Sequence, residues 1–170
     1  MQVVAIHGGC GTPAVAELSG ADWHEMRGHL ADALRAGWAA LGAGGTAVDA
    51  VEAAVGVLED SPHFNAGHGA ALCADGTHEL DASIMDGRTL AAGAVCGVRT
   101  LRHPVQAARA VMERSDCVLL AGPAADAFGR AHGLEVVDNP FFTTPRRLAA
   151  LRKLPAAAAA AATPATGPTT

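Results

Sequence analysis

The sequence predicts a layered α/β protein of the α+β type, in which helices and antiparallel strands are partly segregated. Two stretches, residues 21–41 and 46–58, carry apolar side chains near the 3.6-residue period of a helix. Residues 71–98 are apolar runs broken by Asp75-Gly76 and Asp86-Gly87, turn signals that mark an antiparallel meander. A helical pattern, a β-rich run and a second helical pattern follow, so the order reads strand, two helices, a few strands, helix, strand, helix.

The elements follow in order. Val3-Val4-Ala5-Ile6 is a short continuous apolar run, expected as a buried strand. It leads into His7-Gly8-Gly9-Cys10-Gly11-Thr12-Pro13, where glycines permit close backbone approach. In the first helix Trp23, Met26, Leu30, Leu34 and Leu41 recur on one side. Residues 42–45 break it, Thr46 caps the next helix, and Asp49 suits the positive end of that helix's dipole. Val48, Val51, Val55 and Leu58 are expected inward, with Pro62 just past the end. Strands are expected at residues 71–73, 78–85 and 90–98. His103-Pro104 opens a helix that points Val105, Ala108, Val111 and Met112 inward. Residues 117–121 read as another buried strand, and residues 124–131 as a helix stopped by Gly133. A short basic helix runs from Pro145 to Leu154. Seven consecutive alanines, Ala156 to Ala162, then sit between Pro155 and Pro164. Residues 1–154 are therefore read as one domain and residues 155–170 as an exposed, flexible Ala/Pro/Thr-rich tail. The strands are too few to close a two-layer sheet core, so something else is needed to complete it.

Composition narrows the classes. The 170 residues fit a single domain. Half are apolar, only 4% are aromatic and Tyr is absent, so the core must be built from small side chains in close contact. The net charge is −5 without a Lys/Arg cluster, which points away from nucleic acid. The N-terminus lacks the basic region of a secretory signal, and no long uncharged apolar stretch predicts a membrane span. Cys10, Cys73, Cys96 and Cys117 form no C-x-x-C pair and read as buried or half-buried free thiols of a reducing cytoplasm.

Several motifs invite chemistry. Gly9-x-Gly11-x-x-Ala14 fits a relaxed dinucleotide fingerprint, but Pro13 interrupts it and a helix containing Asp32 stands where a second strand is required. A nucleotide-binding module built on Gly8, Gly9, Cys10 and Gly11 is the rival from another class. His63 and His68, with Asp81 as a third group, raise a zinc site that the intervening glycine turn disfavours. His7 reads first as a hydrogen-bonded structural histidine holding the glycine loop. The stretch from Leu58 to Gly69 leaves a helix C-terminus, where carbonyls lack partners, and Pro62, Gly67 and Gly69 force an irregular path. Such carbonyls are hard oxygen donors able to hold a monovalent cation. Water on the carbonyls of a solvated loop is the plainer reading of the spacing alone.

Six segments taken in order resemble the plant-type asparaginase / isoaspartyl peptidase family of N-terminal-nucleophile hydrolases. They are Ile6-His7-Gly8-Gly9-Cys10-Gly11, Gly45-Thr46-Ala47-Val48-Asp49-Ala50-Val51, and Phe64-Asn65-Ala66-Gly67-His68-Gly69. The others are His78-Glu79-Leu80-Asp81-Ala82-Ser83-Ile84-Met85-Asp86-Gly87, Gly93-Ala94-Val95-Cys96-Gly97-Val98 and Asn139-Pro140-Phe141-Phe142. The resemblance runs from about residue 3 to residue 154.

It implies a four-layer αββα sandwich made from a precursor that cuts itself into α and β chains, this chain matching the α part. The implied activity is hydrolysis of L-asparagine, β-aspartyl (isoaspartyl) dipeptides or both. The nucleophile is a threonine that begins the β chain, its own amine serving as base. Glycosylasparaginase and threonine endopeptidase are the alternatives within the superfamily. No catalytic residue is then expected in this chain. Asn65 is implied as a support beside the nucleophile, and His7, Gly8, Gly9, Cys10 and Gly11 as the glycine loop near the scissile bond. The backbone carbonyls of Leu58, Glu59, Ser61, Phe64, Ala66 and His68 are implied as ligands of a structural sodium, with potassium as the other candidate. No cofactor is implied for the chemistry. The implied partners are the β chain, in a dimer of αβ units, and a small-molecule substrate, with no nucleic acid or membrane. Cys10 and His68 depart from the family, which usually has Ala and an aliphatic residue there.

Overall fold

The structure is a computed structural model that describes residues 2–9 and 18–153. Its elements are α1 (Gly20–Gly42), α2 (Ala47–Asp60), β1 (Leu80–Met85), β2 (Ala92–Val98), α3 (Pro104–Arg114), β3 (Leu119–Ala121), α4 (Gly122–Ala131) and α5 (Pro145–Arg152), with a 3₁₀ turn at Asn139–Phe142. Cys10, Gly11 and the Ala/Pro/Thr-rich tail of residues 155–170 lie outside the described residues. Among those described, no helix is long and apolar enough to cross a membrane.

The two N-terminal helices begin alike. Ser19 and Thr46 each accept a hydrogen bond from the backbone three residues on, while Asp22 and Asp49 reach back to the cap amide. The helices meet through small residues. Ala33, Ala50 and Ala54 are buried, and a Cβ on Gly37 would lie 2.9 Å from the Ala50 carbonyl oxygen. This contact corrects the expected faces. With the seam set by Ala33 and Gly37, Leu34 and Val51 turn to solvent, and Trp38 is 55% exposed.

The sheet has three strands in the order β1-β2-β3. β1 and β2 pair antiparallel across the Asp86-Gly87 turn, as expected. The register slips between Leu80 and Ala82. Gly97 takes φ 63° at this bulge, and its amide donates to Asp81 Oδ1 at 2.8 Å. Residues 71–73 form no strand, although Gly76 N donates to Cys73 O across the expected turn. β3 pairs parallel to β2, because α3 carries the chain back across the sheet before β3 begins. A cluster of Leu80, Val95, Val98, Leu101, Ala107, Val111, Ala125 and Phe142 fills the space between sheet and helices. Gly93 permits the close approach of α3, since a Cβ there would fall 2.2 Å from the Ala108 carbonyl oxygen.

Two further expected strands differ. Residues 3–6 form no strand, and Val3 is 74% exposed; an apolar run becomes a strand only beside a partner, and no described strand adjoins it. The run at residues 117–121 does yield β3, but as a short exposed edge with Leu119 55% exposed. Along β1, Leu80 and Ile84 are buried while Asp81, Ser83 and Met85 are exposed, so the sheet has one covered and one open face.

Candidate active site

The segment between α2 and β1 is irregular because its glycines require it. A Cβ on Gly67, at φ 50°, would lie 2.3 Å from the Glu59 carbonyl oxygen. One on Gly69, at φ 108°, would lie 2.7 Å from Pro62 O and 3.0 Å from Phe64 O. The end of the loop therefore folds over its beginning, with carbonyls crowded into space that any other residue would fill.

The side chains are committed elsewhere. Phe64 is buried with Ala33, Ala54 and Leu58. The Glu59 carboxylate, also buried, accepts from Val105 N at 2.9 Å and lies 3.2 Å from His103 Nδ1, capping α3. Burial pushes the Glu59 carboxyl above its usual range, and its hydrogen bond raises the His103 imidazole. Ser61 Oγ accepts from His63 N, and His68 Nδ1 bonds the Phe141 carbonyl oxygen at 2.8 Å. Asn65 is the exception. Its Oδ1 accepts from Ala71 N at 2.7 Å, which fixes the carboxamide and leaves the Nδ2 hydrogens unpaired among the described residues.

The nominated carbonyls divide into two groups. Leu58 O accepts from Ser61 N, and Glu59 O from His68 N at 2.6 Å. The carbonyls of Ser61, Phe64, Ala66 and His68 accept no hydrogen bond among the described residues. These four are neutral, hard oxygen donors, and the buried Glu59 carboxylate beside them is already engaged.

The glycine loop comes to the same place. A Cβ on Gly8 would sit 2.8 Å from Phe64 Cε1, so Gly8 lies directly against the aromatic ring next to Asn65. Gly9 takes φ 111°, and its amide donates to His7 Nδ1 at 3.3 Å, the local structural role expected for His7.

A family model described as asparaginase matches residues 1–167. The chain belongs to the asparaginase family. Its relatives include the isoaspartyl peptidases of Salmonella typhimurium and Escherichia coli K12, 49% and 47% identical over 145 residues, 85% of this chain. These matches cover 46% and 45% of the two relatives. The plant-type L-asparaginase of Pyrococcus abyssi is 45% identical over 138 residues, 81% of this chain and 44% of that one. The chain thus spans a little under half the length of these curated relatives.

Two other readings do not find their geometry in this asparaginase-family chain. His63 Nε2 pairs with Glu25, His68 with the Phe141 carbonyl and Asp81 with Gly97 N, so the three do not converge. Among the described residues no group of three or more His, Cys, Asp or Glu is placed to hold a metal ion. The dinucleotide motif needs a strand after its helix; residues 10–14 of the motif lie outside the described residues, and among those described α1 is followed by a second helix.

The sequence reading missed residues that support the loop from below. His78 is fully buried, with Nε2 bonded to Thr143 Oγ1 at 2.8 Å and Nδ1 facing Ala71 O; burial lowers its pKa. Asn139 clamps the chain on either side of β1 and β2, accepting from His78 N and donating to the carbonyls of His78 and Arg99. Asp126 accepts from the amides of Arg99 and Thr100 and from the Thr100 hydroxyl, fastening α4 to the end of β2. The Asn-Pro-Phe-Phe segment was visible as a motif, but its contacts cross some 60 residues of sequence and spacing cannot give them.

Proposed function

We propose that this chain is the α half of a self-cleaving amidohydrolase that hydrolyses L-asparagine, β-aspartyl dipeptides or both. A second chain from the same precursor supplies the N-terminal threonine. The observation that carries the reading is Asn65 in a member of this family. Its carboxamide is locked through Oδ1, its Nδ2 hydrogens have no partner among the described residues, and Gly8 lies against the neighbouring Phe64. A fixed amide donor of this kind can hold a hydroxyl or carbonyl oxygen in one orientation without reorganising during reaction.

In this reading the remaining chain covers the open sheet face with Asp81, Ser83 and Met85, extends the β3 edge, and completes a four-layer αββα sandwich. Two αβ units form the assembly. The carbonyls of Ser61, Phe64, Ala66 and His68, which accept no hydrogen bond among the described residues, hold sodium or potassium as a structural ion together with those of Leu58 and Glu59. Cys73, Cys96 and Cys117 are free thiols, which fits a reducing cytoplasm, although only Cys73 is half-buried as expected and Cys96 and Cys117 are exposed.

The test is to express the whole precursor and examine it by denaturing mass spectrometry and turnover. Two species are expected, the second beginning with threonine, together with hydrolysis of β-aspartyl-leucine or asparagine. An uncut precursor inactive on both substrates refutes the proposal. Preferred turnover of a glycosylated asparagine would move the assignment within the superfamily.

A further inference from the structure

We propose that Arg146 and Arg147, in the first turn of α5, are positioning residues that latch the carbonyl loop and set its cation affinity and the aim of Asn65. The inference rests on the function proposed above. Arg146 Nη2 donates to His63 O at 2.8 Å, and Arg147 Nε donates to Gly69 O. These two carbonyls bracket Phe64, Asn65, Ala66, Gly67 and His68. The same segment adds Phe142 O, which accepts from Gly69 N at 2.9 Å, and Phe141 O against the His68 ring. Four contacts thus tie one side of the loop to residues 141–147. The Thr144 hydroxyl fixes where α5 begins by accepting from Arg147 N.

The placement runs against local preference, which argues for a function in these contacts. A helix N-terminus disfavours positive side chains, and the first turn of α5 contains no acidic residue. Among the described residues, the arginine ion pairs involve Arg35, Arg88, Arg99, Arg102 and Arg109. Neither Arg146 nor Arg147 has a carboxylate partner there, and Arg147 is half-buried. Burial and the neighbouring Arg146 charge lower the Arg147 pKa. The carbonyls offset that desolvation. The chosen carbonyls matter too. The guanidinium groups occupy His63 O and Gly69 O and leave Ser61 O, Phe64 O, Ala66 O and His68 O without a hydrogen bond among the described residues. The latch thereby selects which oxygens remain for an ion.

The experiment uses the full assembled protein, with sodium chloride titrated against choline chloride at constant ionic strength. Melting temperature reports the cation midpoint, β-aspartyl-leucine turnover reports kcat and KM, and amide exchange reports the loop. Arg147→Met is expected to raise the sodium midpoint roughly tenfold, the order of one charge-assisted hydrogen bond. It should lower kcat while KM moves by less than about twofold, and speed exchange at His68 and Gly69. Arg146→Met should act in the same direction, Arg147→Lys should recover part of the loss, and Arg152→Met should change nothing. An Arg147→Met protein with the wild-type sodium midpoint, or with equal destabilisation in sodium and choline, overturns the proposal. If the wild type shows neither sodium response nor turnover, the functional reading fails instead. Amide exchange then decides the latch alone: unchanged protection at His68 and Gly69 in Arg147→Met refutes it.

Discussion

Gly67→Ala is the sharpest test of the loop geometry. The new methyl must adopt φ 50° and would lie 2.3 Å from the Glu59 carbonyl oxygen and 2.8 Å from its carbonyl carbon. The left-handed conformation costs a non-glycine residue about 1–2 kcal/mol. Relieving the overlap by a backbone shift adds about 1–3 kcal/mol, the usual range for overpacking. The shift must also disturb the His68 N to Glu59 O bond and the carbonyls on either side. A total of about 2–5 kcal/mol corresponds to a melting temperature lower by roughly 4–20 °C for a domain of this size. The control is Gly56→Ala, within α2, where an added Cβ meets nothing within 4 Å. That change should stabilise by up to about 1 kcal/mol, since alanine is the better helix former. Thermal melting of both variants at matched concentration decides the matter. A Gly67→Ala protein melting within about 1 °C of wild type would refute the reasoning.

Other perturbations test other parts of the fold. Asn65→Asp keeps an oxygen for Ala71 N but replaces the free amide donor with an acceptor. It should reduce kcat by about two orders of magnitude with little change in melting temperature, on the scale of losing a preorganised donor. Phe142→Ala empties the site of a fully buried ring in the main core, and chemical denaturation should show a loss of about 3–5 kcal/mol. The Thr46 backbone and hydroxyl bonds, followed by Arg109, hold Asp49 at a pKa of about 2, below its usual 3.8. Its stabilising contribution is therefore present above pH 3.8 and lost as pH falls through about 2. Asp49→Asn should flatten the acid limb of the stability curve over that interval, and an unchanged slope would show that the capping box does not titrate as described.

What the sequence made legible was local. Caps, helix spans and the β1–β2 turn follow from residues within a few positions of one another, and Thr46, Asp49, Pro104 and Gly133 all stand where their chemistry predicts. Periodicity failed where size mattered more than polarity. Leu34 and Val51 fit an apolar stripe, but Ala33, Gly37, Ala50 and Ala54 let α1 and α2 approach closely and took the seam. Residues 3–6 and 117–121 share one error: apolar β-formers were expected to be buried, yet neither run is enclosed by the described elements. The loop was legible as a glycine loop. Its latch was not, because Arg146 and Arg147 reach carbonyls some 80 residues earlier.

The division of labour within that loop explains how His68 can depart from the family's aliphatic residue. Leu58 and Phe64 enter the core, Glu59 caps α3, Ser61 bonds the chain beside it, and His68 turns to the Phe141 carbonyl. Each of these side chains supports the backbone, and the loop's groups without a partner among the described residues include main-chain oxygens and the Asn65 amide. A carbonyl oxygen is the same donor whatever residue carries it, so a substitution matters only through the path of the backbone. The imidazole at position 68 even adds an anchor that an aliphatic residue lacks, since its Nδ1 bonds to the 3₁₀ turn. Asn65 has no such latitude under the proposed function, because the donor proposed there is its side-chain amide. Sequence change around the loop should therefore be tolerated wherever packing, glycine conformations and the arginine contacts survive, and should be costly at Asn65, Gly67 and Gly69.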